Sequence, residues 1–287
     1  MVDEFHKFDA EKEIHSYEKF LVSERKSQHT VKQYKSMLKC FIQYANKDLK
    51  NISNTDIENF KSYLVVDKKY SKASQYLSMK VLKSYYLFRN TPVPVNLAPP
   101  RRSQKMPVYL NDHDAHRLLE FSNDIRLHAI ISTFLYTGIR VSELTNILIN
   151  DIDLQENIIY VHSGKGDKDR IVIIPDSCKK DLSEYLKIRL NIKTPSKNFF
   201  VSNKKTKFDT STIERVIKKT AEKAGLQRKV TPHVLRHTFA SSVLRNGGDI
   251  RFIQQILGHS SVATTQIYTH IDDNVLKEMY NMHKPKY

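Results

Sequence analysis

The sequence has little of what marks a membrane or secreted protein. It contains no run of roughly 18 consecutive apolar residues, so we expect no transmembrane helix. Residues 1–20 lack an apolar segment followed by a small-residue cleavage site, so we expect no secretory signal. Cys40 and Cys178 are the only cysteines, and their contexts indicate no disulfide framework. These absences predict a cytoplasmic protein with no membrane partner.

Positive charge, in contrast, is abundant. The 287 residues include 47 Lys and Arg against 31 Asp and Glu, a formal net charge of +16. Residues 1–100 hold 17 basic against 11 acidic residues, and the remainder holds 30 against 20, so the excess is not confined to one tail. Such a distribution favours a polyanionic partner, with an ordinary lysine-rich soluble protein as the alternative.

Four segments near the N-terminus carry apolar side chains at the spacing of amphipathic helices: residues 9–25, 29–46, 54–67 and 72–90. Ser53 and Ser71 stand where N-caps of the third and fourth helices are expected. No strand-like alternation interrupts them. The pattern predicts a first domain, residues 1–92, that is a small all-α bundle.

The amino-acid composition changes after the fourth helix, and we place a domain linker at residues 93–108. The stretch TPVPVNLAPPRRSQKMP, residues 91–107, contains five prolines, which remove backbone donors and disfavour helix at the preceding residue. We interpret it as an extended, basic linker between two domains. Arg101, Arg102 and Lys105 would suit a strap lying across phosphates, although a basic linker can also be simply solvated.

The second domain, residues 109–287, is predicted to be mixed α+β. Two β-branched runs, residues 158–161 and 171–174, flank a Gly-containing turn and predict an antiparallel hairpin. Gly138 is placed to end a helix in the left-handed conformation. Helices are predicted over residues 111–122, 124–137, 139–148, 176–190 and 210–224. The fold class is therefore mainly α with a small antiparallel sheet.

Arg140 and Lys165 are the first residues suited to chemistry on a phosphate. Arg140 stands at a helix start, with Glu143 three residues on, where an acidic side chain can hold a guanidinium in place. A surface salt bridge, which contributes little, is the alternative. Lys165 lies between two glycines at the hairpin tip, where it could deliver a proton or a charge, or be an ordinary solvated lysine.

His233 and Arg236 share one face of a predicted helix. Thr231 is its expected N-cap and Pro232 its first residue, and the free N–H groups of such a helix start favour an anion. His237 follows His233 by four residues, which raises the question of zinc. A metalloprotease would need a glutamate where Val234 stands, and no cysteine or carboxylate set completes a site, so we expect no metal.

His259 and Tyr268 complete the group. His259 follows a glycine at an expected helix end, where a packed capping histidine is the alternative. Tyr268 is one of 15 tyrosines and could equally be a core aromatic. What favours chemistry is the combination: imidazoles, guanidiniums and a phenol in one stretch of the chain can hold and attack a phosphate.

Four stretches of the sequence resemble the tyrosine recombinase (phage integrase) family, most closely its single-chain Xer branch. They are TGIRVSEL (residues 137–144), GKGDKDR (164–170), HVLRHTFA (233–240) and LGHSSVATTQIYTH (257–270). All six catalytic positions of the family are matched, by Arg140, Lys165, His233, Arg236, His259 and Tyr268. Glu143 matches the acidic residue that supports the first arginine. The resemblance implies that the first domain is the family's SAM-like, core-binding domain.

The resemblance also implies a reaction. Tyr268 would attack a DNA phosphodiester to give a 3′-phosphotyrosyl link and a free 5′-hydroxyl, and a second 5′-hydroxyl would then attack that link. Arg140 and Arg236 would stabilise the charge of the transition state. Lys165 would be the general acid for the leaving oxygen and His233 the acid/base partner of the tyrosine. The energy of the phosphodiester is kept, so no ATP, metal or other cofactor is expected.

Family members clamp duplex DNA between two domains, and four protomers assemble on two paired inverted sites. Residues proposed to contact DNA, chosen by helix position and charge, are Thr30, Lys32, Lys35, Lys72, Lys80 and Lys83, with solvated lysines and a helix cap at Thr30 as alternatives. The apolar side chains near Leu276 form a helix face that would dock on a neighbouring protomer or pack on its own domain.

The resemblance is compatible with two biological roles of a recombinase, and two other activities remain as alternatives. A chain of this length with no added arm-binding domain favours Xer-type resolution of chromosome or plasmid dimers, with integration of a mobile element as an alternative. A type IB topoisomerase uses similar chemistry but reseals the same strand. A non-catalytic DNA-binding protein would need no nucleophile at all.

Overall fold

A computed structural model of the chain describes residues 10–46, 51–92, 97, 108–162, 169–248 and 250–258. The chain folds as two compact units that divide between Lys105 and Met106. Helices dominate both units, and a small antiparallel sheet occurs in the second, which confirms the predicted fold class. Among the described residues, no helix has both the length and the apolar character needed to cross a bilayer.

The first unit contains the four predicted helices: α1 (Ala10–Ser23), α2 (Gln28–Ala45), α3 (Asn54–Val66) and α4 (Lys72–Phe88). Helix α2 packs against the other three. Its heptad-like apolar stripe, which includes Leu38 and Phe41, is fully buried against residues such as Tyr17, Phe60 and Leu82. Burial of this amphipathic face, more than helix propensity, therefore holds the bundle together.

Side-chain caps mark where these helices begin. The predicted caps are confirmed at Ser53 and Ser71, whose hydroxyls accept from the backbone N–H groups of Asp56 and Ser74. The expectation of a cap at Thr30 is wrong, because Ser27 caps α2 and accepts from the Thr30 N–H. Helix α2 begins earlier than the apolar pattern alone indicates, since a cap is chosen by its hydroxyl and not by hydrophobicity.

The second unit is built around α6 (Ile125–Thr137), which is apolar on nearly every side. It packs against α8 (Asp176–Leu190) and α10 (Pro232–Arg245). The remaining helices are α5 (Asp112–Glu120), α7 (Val141–Asn146), α9 (Thr210–Lys223) and α11 (Ile250–Leu257). A helix that is hydrophobic all round belongs at the centre of a domain, and α6 occupies that position.

Three short antiparallel strands form the sheet: β1 (Ile152–Asp153), β2 (Ile158–Val161) and β3 (Arg170–Ile173), in that order. The predicted hairpin is β2 and β3, in which Val161 pairs with Arg170 and Ile158 with Ile173. Ile159 and Val172 face the core, whereas Ile171 and Ile173 lie on the exposed face. Strand β1 was not predicted, because two residues are too few to show an alternating pattern.

The helix predicted over residues 139–148 is shorter than expected. Arg140 is its N-cap, and α7 ends at Asn146. Ile147 and Leu148 are extended and a short 3-10 helix (Ile149–Asp151) follows, because the Ile147 carbonyl accepts from Phe199 N at 2.8 Å and Ile149 N donates to the Lys197 carbonyl at 3.0 Å. These hydrogen bonds to a distant segment end the helix where local sequence would have continued it.

Ser53 offers a test of the capping geometry in the first unit. Its hydroxyl accepts from Asp56 N, and the Asp56 carboxylate accepts from Ser53 N, so each satisfies a donor that the helix leaves open. We expect S53A to lower the free energy of unfolding by about 1 kcal/mol, measured by urea denaturation followed by circular dichroism. S53T keeps the hydroxyl and should retain most of the stability. Equal losses in S53A and S53T would contradict the cap.

Candidate active site

The turn after α6 places the first groups of the site. Gly138 ends α6 in the left-handed conformation predicted for it, with φ of 62°. A Cβ at this position would lie 2.4 Å from the Phe239 ring and 2.7 Å from the Leu257 side chain. Glycine is therefore required here both for the backbone and for the close approach of α10 and α11.

Arg140 is held by Glu143, as predicted. Its backbone N–H donates to Glu143 Oε2 at 2.7 Å, and its Nη1 donates to Glu143 Oε1 at 2.8 Å. A third hydrogen bond joins Arg140 Nη2 to the Gly258 carbonyl at 2.9 Å. The guanidinium is thus oriented by a carboxylate on one side and by a backbone carbonyl on the other.

Two backbone carbonyls orient the Arg236 side chain. It lies in α10, whose start at Thr231 and Pro232 is as predicted: the Thr231 hydroxyl accepts from Val234 N, and Pro232 is the first helical residue. The Arg236 side chain is buried, and its Nη1 and Nη2 donate to the carbonyls of Gly138 and Leu257, each at 2.6 Å.

The two arginines converge on the end of α11. Arg236 donates to the carbonyl of Leu257 and Arg140 to that of Gly258, so consecutive peptide groups receive both guanidiniums. Gly258 is in the left-handed conformation, with φ of 64°, which ends the helix as predicted. Carbonyls at a helix C-terminus have no partner within the helix, so arginine donors satisfy them.

The two histidines of α10 have different surroundings. His233, in the first turn, is exposed, whereas His237 is half-buried. Burial, followed by the charges of His233 and Arg236, lowers the pKa of His237 from 6.5 to about 4. His237 is therefore a neutral imidazole at pH 7, while His233 is the histidine accessible to a ligand.

Arg170 was not predicted as a functional residue, although it ends the quoted stretch GKGDKDR. It begins β3, and its Nη1 and Nη2 donate to Glu143 Oε1 and Oε2 at 2.8 and 2.9 Å. Its Nε donates to the Ile256 carbonyl at 2.9 Å. Only its place in that stretch could have drawn attention to it, because the partner Glu143 lies far away in the sequence.

The Glu143 carboxylate is thus shared by two arginines. Its side chain is 8% exposed. Burial alone would raise the pKa of this carboxyl, but the hydrogen bonds and charges of Arg170 and Arg140 lower it from 4.5 to about 2. Glu143 remains ionised at any pH near neutrality.

The other predicted site residues divide into two groups. Arg140 and Arg236 meet at the end of α11, Glu143 holds Arg140 there, and His233 lies three residues before Arg236 on α10. Lys165, His259 and Tyr268, together with the linker residues Arg101, Arg102 and Lys105, lie outside the described residues.

The DNA-contact candidates of the first unit lie on α2 and α4. Of these six candidates, Lys32, Lys72, Lys80 and Lys83 have side chains exposed to solvent. Lys35 is half-buried and forms an ion pair with Glu18. The Thr30 hydroxyl is hydrogen bonded to that of Ser27 at 2.9 Å. Four of the six candidates therefore present an exposed charge.

Titration of Glu143 gives a test of its buried network. Because its folded pKa lies below its unfolded pKa, its contribution to stability is present above pH 4.5 and is lost as the pH falls toward 2. We expect E143Q to lower the free energy of unfolding at pH 7 by on the order of 3 kcal/mol, with the difference from wild type narrowing toward pH 3. Urea denaturation across this pH range measures both quantities.

The matched control is E222Q. The pair of Glu222 with Lys218 is exposed, with both side chains 60% accessible, and such pairs contribute little. E222Q should therefore change stability slightly at every pH. A stability difference between wild type and E143Q that is the same at pH 7 and pH 3 would contradict the lowered pKa.

Comparison with known proteins identifies the family of the chain. Residues 109–275 match the Phage integrase family, and residues 14–90 match the Phage integrase, N-terminal SAM-like domain. The tyrosine recombinase XerC of Thermodesulfovibrio yellowstonii is 35% identical over 276 residues, which cover 90% of this chain and 91% of the relative.

Solved structures of recombinases are also similar to the chain. The crystal structure of XerA recombinase is 54% identical, with a TM-score of 0.61, and the match covers 97% of this chain and 100% of that one. XerH site-specific recombinase bound to its difH substrate, in a pre-cleavage complex, is 25% identical with a TM-score of 0.71, over 87% and 78% of the two chains. The chain described here belongs to the phage integrase family and is a Xer-like tyrosine recombinase.

Proposed function

We propose that this protein is a site-specific recombinase that breaks and rejoins duplex DNA through a 3′-phosphotyrosyl intermediate. The observation that carries the proposal is the convergence of Arg140 and Arg236 on the carbonyls of Gly258 and Leu257. Two oriented guanidiniums beside the residue that precedes His259 are suited to one phosphodiester. The family membership supports the same reaction.

Tyr268 is the proposed nucleophile. Its phenolic oxygen forms a bond to phosphorus while the bond from phosphorus to the 5′-oxygen breaks, which leaves a phosphotyrosine on the 3′ strand end. The transition state carries more negative charge than the phosphodiester, and Arg140 and Arg236 stabilise that charge. Fixed guanidiniums act without reorganisation, so their prior orientation lowers the barrier. In the second step, a 5′-hydroxyl of the partner strand displaces the tyrosine.

Proton transfer is assigned to the remaining groups. A phenol has a pKa of about 10 when unperturbed, so it must lose its proton as it attacks. His233 is the proposed base for that proton, and its exposure at the start of α10 is consistent with access to DNA. Lys165 gives a proton to the leaving 5′-oxygen, and His259 donates a hydrogen bond to a non-bridging oxygen.

Double-stranded DNA with paired inverted binding sites is the proposed substrate, bound by both domains. The exposed lysines of α2 and α4 and the basic linker, residues 93–108, supply the phosphate contacts. The net charge of +16 supports this partner. Such a substrate implies a cytoplasmic location.

Assembly is proposed to follow the family pattern. Four protomers bind two DNA sites, and a C-terminal helix near Leu276 docks on a neighbour. The proposed biological role is Xer-type resolution of chromosome or plasmid dimers. The similarity to XerC and XerA over almost their full lengths supports that role ahead of integration of a mobile element.

Substitution of Tyr268 tests the nucleophile. On a nicked duplex that traps the covalent intermediate, we expect wild type to form a protein–DNA adduct that survives denaturing electrophoresis, and Y268F to form none, because phenylalanine has no attacking oxygen. Y160F, which removes the hydroxyl of an exposed tyrosine on β2, should form the adduct normally. Adduct formation by Y268F would refute the assignment.

Paired sites distinguish a recombinase from a topoisomerase. We expect a supercoiled plasmid that carries two inverted binding sites, each with a short central spacer, to yield recombinant products, since the second 5′-hydroxyl comes from the partner strand. The products are resolved by gel electrophoresis after restriction digestion. A plasmid without the sites is the control. Relaxation of both plasmids to the same extent, with no recombinant product, would indicate topoisomerase activity instead.

A further inference from the structure

Arg170 is a charged neighbour of Glu143 to which the proposed mechanism gives no role. Its side chain is 10% exposed, and three of its nitrogens have described acceptors. Nη1 and Nη2 form the paired hydrogen bonds to both oxygens of Glu143, and Nε donates to the Ile256 carbonyl. A planar guanidinium that bonds to both oxygens of a carboxylate fixes its rotation as well as its position.

That carboxylate is the one that orients Arg140. Glu143 Oε1 accepts from Nη1 of both arginines at 2.8 Å, and Oε2 accepts from Arg170 Nη2 and from the Arg140 backbone N–H. Without Arg170, Glu143 would lose two of its four described hydrogen bonds. It could then rotate, and the guanidinium of Arg140 would rotate with it.

Arg170 also touches the second support of Arg140. Its Nε anchors the Ile256 carbonyl, and its side chain packs against Gly258, where a Cβ would lie 3.1 Å from Arg170 Cδ. The Gly258 carbonyl accepts from Arg140 Nη2 at 2.9 Å. A closed circuit therefore runs from Arg170 through Glu143 to Arg140, and back through the chain at residues 256–258.

We propose that Arg170 is a positioning residue for strand cleavage, which acts by fixing the orientation of the Arg140 guanidinium against the scissile phosphate. The inference rests on the proposed function, in which Arg140 stabilises charge on that phosphate. It assigns to the first residue of β3 a role in the rate of the reaction beyond that of attaching the sheet to α7.

The first test compares R170K with a matched variant. Lysine keeps the charge, but its three donors lie on one nitrogen, so it cannot reproduce the planar paired contact with both oxygens of Glu143. We expect R170K to lower the single-turnover cleavage rate on nicked DNA by about 10- to 100-fold, because small displacements of catalytic groups have effects of that size. The dissociation constant for the same DNA should change by less than about threefold, since Arg170 makes no proposed phosphate contact.

Arg189 supplies the control for a buried arginine in the same unit. It is 3% exposed and donates only to the carbonyls of Ser196, Asn198 and Phe199 in its described contacts, none of which belongs to the circuit. R189K should lower the thermal midpoint and leave the cleavage rate of the folded protein near that of wild type. If R189K lost as much cleavage rate as R170K, Arg170 would have only a structural role.

A change in the substrate separates positioning from stability. A methylphosphonate at the scissile position carries no negative charge, so stabilisation by an oriented Arg140 matters less. We expect the ratio of wild-type to R170A cleavage rates to be several-fold smaller on the methylphosphonate than on the phosphate, with R170K compared in the same way should R170A not fold. The same ratio on both substrates would overturn the proposal.

The outcomes also separate this inference from the proposed function. If wild type forms no covalent adduct, or Y268F forms one, the proposed reaction itself is wrong. If wild type cleaves, Y268F does not, and R170K matches R189K in rate and substrate dependence, then only the positioning role of Arg170 fails.

Discussion

The arrangement of the site depends on one buried negative charge. Glu143 is removed from water, and a buried carboxylate is costly unless hydrogen bonds and opposite charges surround it. Its partners come from different parts of the chain: Arg140 from the turn after α6, and Arg170 from the sheet. Those elements must therefore meet at Glu143 in the folded state, and their meeting brings the start of α7, the edge of the hairpin and the end of α11 to one place.

Backbone carbonyls are the second means by which the protein places positive charge. Arg236 is buried with carbonyls of Gly138 and Leu257 as acceptors, and Arg189 is buried against carbonyls of residues 196–199. An arginine cannot lose its proton in a protein, so such a site keeps its charge at every pH that the protein meets. For a reaction that builds negative charge on a phosphate, charge that is fixed in place before binding is the effective kind.

Local signals explain which parts of the fold were predictable from sequence. The helices of the first unit, the caps at Ser53 and Ser71, and the left-handed Gly138 are each determined by residues within a few positions. The length of α7 was not predictable from sequence, because Ile147 and Ile149 form hydrogen bonds with residues 197–199. Strand β1 was not predictable, because two residues show no alternating pattern. The cap at Ser27 was not predictable either, because it lies just outside the apolar repeat that suggested α2.

The site also contains some features that local sequence predicts and others that depend on distant contacts. Arg140 with Glu143, and the start of α10 at Thr231, were predictable because each is a contact within one turn of helix. The role of Arg170 was not, since its acceptors lie 27 and 86 positions away along the chain. Nor could periodicity have indicated that Arg140 and Arg236 share neighbouring carbonyls. Contacts of that kind exist only after α6, α10 and α11 have packed.

The end of α11 has a mechanical consequence. Arg140 and Arg236 are attached to consecutive carbonyls there, and Arg170 to the carbonyl of Ile256 one residue earlier. A helix moves as a rigid rod, so a shift of α11 by a fraction of an ångström would displace the acceptors of all three arginines in the same direction. The position of α11 therefore sets the geometry of all three arginines together.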